Sequence, residues 1–123
     1  MTKHKVTVTI KRAYDKAEEN DGTRVLVDRL WPRGLSKERA HIHVWLKEVA
    51  PSNGLRKEFG HEPEKFAEFR EKYIAELSSA SGQKALNALR ELAQQGPIAL
   101  VFAARDAEHS NAAILRELLQ RGS

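Results

Sequence analysis

Ile98-Ala99-Leu100-Val101-Phe102-Ala103 is an unbroken apolar run of strand length. Strands of antiparallel sheets with one wet face alternate apolar and polar residues, whereas a run apolar throughout fits a strand covered on both faces in a parallel sheet. Gly96-Pro97 precedes it and stops the helical pattern before it. A second short run, Val25-Leu26-Val27, also reads as a buried strand, within Arg24 to Asp28. Lys5 to Arg12 alternates, with Val6, Val8 and Ile10 against Thr7, Thr9 and Lys11, as a strand with one buried face does. Asn20-Asp21-Gly22 is the turn signal between the first two strands.

Helical periodicity fills most of the remainder. Phe66, Phe69, Tyr73, Ile74 and Leu77 fall on one helical face, with Pro63 at a first turn. Leu86, Leu89, Leu92 and Ala93 mark a second helix, with Ser78 to Gly82 as the break between the two. Ile114, Leu115, Leu118 and Leu119 form the last helix, capped by Ser110 or Asn111. Ser36 caps a short turn, and Ser52-Asn53 caps a brief helix over residues 54–59 that Gly60 closes. His41 to Val49 keeps no clean period and reads as a short strand or irregular segment ending at Pro51. This order predicts one α/β domain over residues 1–123: a small, mainly parallel sheet flanked by helices in rhodanese/phosphatase-like or Rossmann-like layers.

Composition narrows the chemistry. The 123 residues contain no cysteine, so disulfides, thiolate metal sites and a Cys nucleophile are absent. No apolar stretch approaches the ~20 residues of a membrane span, and Met1 to Lys11 has no apolar leader core. The expectation is a cytoplasmic protein with no membrane partner. Net charge is +4, carried by the first sixty residues at +5 against −1 for the rest. That bias suits a small anionic ligand and permits nucleic acid. A homodimer is compatible with the sequence.

Parallel sheets gather ligands at the C-terminal ends of their strands. Two loops leave the buried strands there. The first is Asp28-Arg29-Leu30-Trp31-Pro32-Arg33-Gly34. Arg29 and Arg33 offer planar donor forks for carboxylate or phosphate, Trp31 a wall or stacking surface, and Asp28 a carboxylate anchored at a strand end. The alternative is a packed Trp31, an Asp28–arginine pair and a loop that only shapes a turn. The second loop, residues 104–111, opens a helix whose free N–H groups favour anions. Arg105, His109, Ser110 and Asn111 supply side-chain donors, and the His109 imidazole can also serve as acid or base. The alternative is capping by Ser110 or Asn111 with solvated charges around it. If strands 24–28 and 98–103 are parallel neighbours, both loops border one cleft.

Other patterns carry less. Ser52, Arg56 and His61 lie among turn residues, where capping and solvation explain them. His41-Ile42-His43 would put two imidazoles on one strand face, but no third zinc ligand is near, so no metal site is expected. There is no P-loop, GxGxxG or nucleophile elbow, and Glu48, Glu58, Glu62 and Glu64 read as solvated acids. No cofactor is called for and no catalytic residue is assigned. Trp31-Pro32 and Ala50-Pro51 are the bonds where a cis isomer is open.

VDRLWPRG at 27–34, WLKEVAPS at 45–52, LRKEFGHEPEKF at 55–66, FREKYIAEL at 69–77 and AARDAEHSNA at 103–112 resemble the bacterial YeaO-like family, a domain of unknown function (number 488). The resemblance spans nearly the whole chain. The wider group is distantly similar to the rhodanese–phosphatase fold, in which a strand-to-helix loop carries a cysteine nucleophile and cradles an anion. Loop 104–111 would hold that place, with Ala104 and Ser110 where a thiol would be sought. The resemblance therefore implies an anion cradle without thiol chemistry. The reading is a domain binding a nucleotide or phosphorylated metabolite. The alternatives are a nucleic-acid-associated module, a non-catalytic interaction domain, or an enzyme using His109 or Asp28 for proton transfer.

Overall fold

The computed structural model describes residues 6–121. Four strands form one all-parallel sheet in the order β1 (Val8–Arg12), β4 (Ile98–Phe102), β2 (Thr23–Leu26), β3 (Val44–Trp45). The apolar run at 98–102 is central, hydrogen-bonded on both sides, and all five residues are buried. Burying each large aliphatic or aromatic side chain there contributes about 1.5–3 kcal/mol. Leu100 is in register with Ile10 on one side and with Val25 on the other. The alternating strand begins at Val8; Lys5, where the pattern starts, lies outside the described residues.

Side-chain parity divides the sheet into two faces. Val8, Val25, Val27, Ile98, Leu100 and Phe102 join the main core. Against them pack α2 (Asn53–Phe59), α3 (Phe66–Leu77), α4 (Ala80–Gln95) and α5 (Asn111–Arg121) through Phe59, Phe69, Tyr73, Leu86, Leu89, Ile114, Leu115 and Leu119. The opposite face is covered thinly. Ala13, Leu26 and Val101 meet Trp31, Leu35, Ile42 and Trp45, with the two indoles edge-on at 5.4 Å.

Arg24 shares that second face and is 2% exposed. Its guanidinium donates to Asp21 Oδ2 at 2.7 Å and to the Ala40 and His41 carbonyls at the end of α1 (Lys37–Ala40). Lys11 adds a second cation on Asp21. A buried charge with each nitrogen engaged is tolerated where a lone one is not.

Capping follows the sequence closely. Ser36 accepts from Arg39 N–H, Ser52 from Leu55 N–H, and Gly60 closes α2 in the left-handed region. Two readings need correction. The break at Ser78 to Gly82 shrinks to Ser78-Ser79, because Ser79 caps α4 and Gly82 lies inside it. Gly82 is there for contact: a Cβ on it would sit 2.6 Å from Leu77 Cα. His41 and His43 do not share a strand face. His41 ends α1 at φ 50°, while His43 Nδ1 accepts from the Arg24 N–H at 2.9 Å. The ambiguous segment resolves into two-residue β3 and a 3₁₀ turn over Lys47–Val49. Both X–Pro bonds singled out above are trans.

Candidate functional site

Because β2 and β4 are parallel neighbours, their C-terminal loops leave the sheet side by side. The Val27 N–H still pairs with Val101 O at 3.0 Å, so the ladder holds to the point where the loops begin. There the two are tied directly. Asp28 Oδ2 accepts the Ala103 N–H at 2.8 Å, and Asn111 Nδ2 donates to Val27 O at 3.0 Å. Trp45 Nε1 fixes the Asp28 carbonyl at 2.8 Å. Arg12, at the end of β1, donates through Nε to Ala104 O at 3.1 Å.

The loops enclose a cleft of about 670 Å³. Asp28, Arg29, Trp31, Arg33, Arg105, His109, Ser110 and Asn111 all border it. They do so in different conditions. Arg29 is held by two carbonyls, Pro51 O at 3.3 Å from Nε and Ala50 O at 3.2 Å from Nη2, which fasten loop 28–34 to the start of α2. Trp31 donates to Leu35 O at 2.6 Å and packs on Trp45, so it is a wall supported from behind. Ser110 is buried and fully engaged: its Oγ donates to Ala107 O and accepts the Ala113 N–H as the cap of α5. His109 Nδ1 lies 2.6 Å from Asp106 Oδ2, with its ring edge-on to Phe66. Arg33 and Arg105 are exposed, and among the described residues neither guanidinium has a hydrogen-bond or ion-pair partner.

Further residues border the cleft beyond these eight. Arg56 and His61, which the sequence offered only as a separate segment, face the same space from α2 and the turn after it. Tyr14 follows β1 and donates from its hydroxyl to Arg33 O at 3.0 Å, latching the loop. Phe59 and Phe69 form an apolar wall, their rings stacked at 4.5 Å. A signal for Tyr14 existed: β1 is also parallel, so its C-terminal end opens onto the same edge. Phe59 and Phe69 carried only a core signal.

Electrostatics are uneven across this space. Four arginines and two histidines stand against Asp28 and Asp106. Asp28 is the inner acid. Burial, the largest influence, pushes its carboxyl above the ordinary carboxylate value, opposed by the Ala103 N–H, Asn111, and the charges of Arg56 and His61. Tyr73 beneath it is fully buried, donates to Val49 O, and is pushed upward by burial beyond any physiological titration. No group of three or more metal-ligating side chains occurs among the described residues.

A family model described as the inactive DUF488-N3 subclade matches residues 7–122. The chain belongs to this family. It is 40% identical over 115 residues to the uncharacterized protein YeaO of Escherichia coli strain K12, covering 94% of this chain and 98% of the relative. It is 41% identical over 112 residues to the uncharacterized protein Rv3073c of Mycobacterium tuberculosis strain H37Rv, covering 91% and 92%. No solved structure matches the fold. The family and its YeaO-like members thus agree with the resemblance carried by DRLWPRG, while the likeness to rhodaneses and phosphatases receives no support. No helix of the described residues is long and apolar enough to cross a membrane.

Proposed function

We propose that this protein binds a small anionic ligand, a nucleotide or phosphorylated metabolite, in the cleft between loops 28–34 and 104–111. The observation that carries the reading is the pair of exposed guanidiniums, Arg33 and Arg105, on opposite loops bordering one cleft, with no acceptor among the described residues. Planar forks on a rim fit phosphate oxygens in pairs. The first amides of α5 add partial positive charge from the 104–111 side. Arg29 has a supporting role, setting the loop that carries Arg33, and Trp31 walls the space.

Binding without turnover fits this site best. The chain has no cysteine, and Ser110 is tied into a cap. The description of the family as inactive supports the same view.

Thermal-shift titration with inorganic phosphate and adenosine monophosphate tests the proposal. Wild type gains stability with ligand by mass action. Arg33→Ala with Arg105→Ala, both exposed and unpartnered, folds normally and loses most of that gain. Equal responses from the two proteins would sink the arginine assignment. Binding of mixed oligonucleotides that weakens steeply with salt would favour a nucleic-acid module instead.

A further inference from the structure

The proposal above leaves open what the ligand is besides an anion, and the cleft is graded in a way that bears on this. Its outer parts are cationic and exposed, at Arg33 and Arg105. Its inner parts are apolar, with Phe59 and Phe69 6% and 4% exposed, and they include a carboxylate, Asp28, anchored through one oxygen by the Ala103 N–H. A bare phosphate has no reason to pass inward. It would lose water to aromatic walls that cannot replace it and would meet a like charge. Yet about 670 Å³ is far more than a single oxyanion fills and sits within the range of organic ligand sites.

Resting on that reading of the cleft, we infer that its ligand is two-ended: a phosphate or carboxylate held at the rim by Arg33 and Arg105, and a flat ring bearing N–H donors seated inside, where Asp28 accepts from it. Three features converge on that ring. Phe59 and Trp31 supply apolar ring surface on which a flat group packs. Asp28 is an acceptor when ionised and lies among them. Arg29 is drawn away to the Ala50 and Pro51 carbonyls, so the cations that act on Asp28 are Arg56 and His61, and among the described residues neither hydrogen-bonds to its carboxylate. An inner carboxylate selects for a donor, and an apolar wall selects for a ring that brings one without a full charge. Amino-substituted nitrogen heterocycles joined to a phosphate meet both demands; sugar phosphates and simple dianions meet neither.

Isothermal titration of the full chain with adenosine monophosphate, cytidine monophosphate, ribose 5-phosphate and inorganic phosphate separates the claims. At least one of the two amino-ring phosphates should bind about tenfold or more tightly than ribose 5-phosphate. Asp28→Asn keeps an oxygen for the Ala103 N–H but places an amide donor where an acceptor stood. It should cut that ring preference to within about threefold without weakening ribose 5-phosphate, for which a like charge has been removed. If ribose 5-phosphate binds as well as both ring-bearing compounds, this inference is overturned and the anion site stands. Should Asp28→Asn weaken all four probes alike, the carboxylate supports the loop and does not read the ring, which also overturns it. If none of the four binds wild type, the anion reading itself fails. A variant that does not fold leaves the wild-type series as a complete test.

Discussion

The carboxylate of Asp28 and the backbone N–H of Ala103 are joined at 2.8 Å across 75 residues of sequence. One is the second residue past β2 and the other the first past β4, so this bond fixes the separation of the two loops where the cleft begins. It also ties a cleft-lining carboxylate to the framework, so a change at that carboxylate also changes the junction of the two strands.

Asp28→Ala should destabilise the fold by about 1–3 kcal/mol, since the partly buried Ala103 N–H then lacks its acceptor. Asp28→Asn should lose much less. The two differ further with pH. Burial raises the folded pKa of Asp28 above its unfolded value near 3.8. The native state therefore holds this proton more tightly than the unfolded state does. Wild type loses stability at this residue as pH climbs from the unfolded value through the folded one, and the loss persists above it. Asp28→Asn has no such titration, so urea midpoints compared at pH 3.5 and pH 7 should shift in the variant's favour at the higher pH. A constant difference between the two proteins would contradict the assignment.

Asp21→Ala should cost about 3–5 kcal/mol, because it leaves the buried Arg24 guanidinium without its counter-charge. Arg24→Met should cost less, as Asp21 keeps Lys11 and the Glu18 N–H. Asp21 titrates in the opposite sense to Asp28. Burial alone would raise it, but the Glu18 N–H, Lys11 and Arg24 together hold it below its usual value. Its contribution is present above the unfolded pKa and is lost as pH falls through the folded one. The advantage of wild type over Asp21→Ala should therefore narrow as pH falls through the folded pKa of Asp21, which urea midpoints followed by circular dichroism at pH 7 and in acid would read, because the variant lacks that titration. An Asp21→Ala protein as stable as wild type at neutral pH would show that the pair contributes nothing.

Gly22 and Gly54 should respond oppositely to alanine. Gly22 has φ +69°, and a Cβ there would stand 2.1 Å from Pro97 O. Strain at positive φ costs about 1–3 kcal/mol by itself, and the clash adds to it. Gly54 sits in α2 with nothing within 4 Å of its Cβ position, so alanine should stabilise by about 0.4–1 kcal/mol. Thermal melts of both variants check the pair, and a tolerated Gly22→Ala would mean the 22–97 contact yields.

How much of this was legible follows from what each signal depends on. The run 98–102 needs only its own composition to declare itself buried, and 25–27 likewise, so their pairing and the convergence of their loops could be anticipated. Arg29 could not be placed that way. Its guanidinium looks the same whether it meets a ligand or the Ala50 and Pro51 carbonyls, and only tertiary proximity decides. Arg56 and His61 were visible as polar residues but not as neighbours of Asp28, because nothing local states where α2 docks. Gly82 misled for a different reason. Glycine marks both chain breaks and close helix contacts, and the latter depends on Leu77 in the neighbouring helix.

The central strand is also the last to be made. β1 and β2 do not pair with each other; each waits for β4, which begins at residue 98 of 123. A ribosome must therefore release about four-fifths of this chain before its sheet can close, and contacts of such long sequence separation form slowly. Until then β1 and β2 offer open edges to other chains. The Asp28–Ala103 bond joins the ends of β2 and β4, so the cleft is complete only once β4 has docked, and a chain that stops short of β4 carries loop 28–34 without its opposite wall.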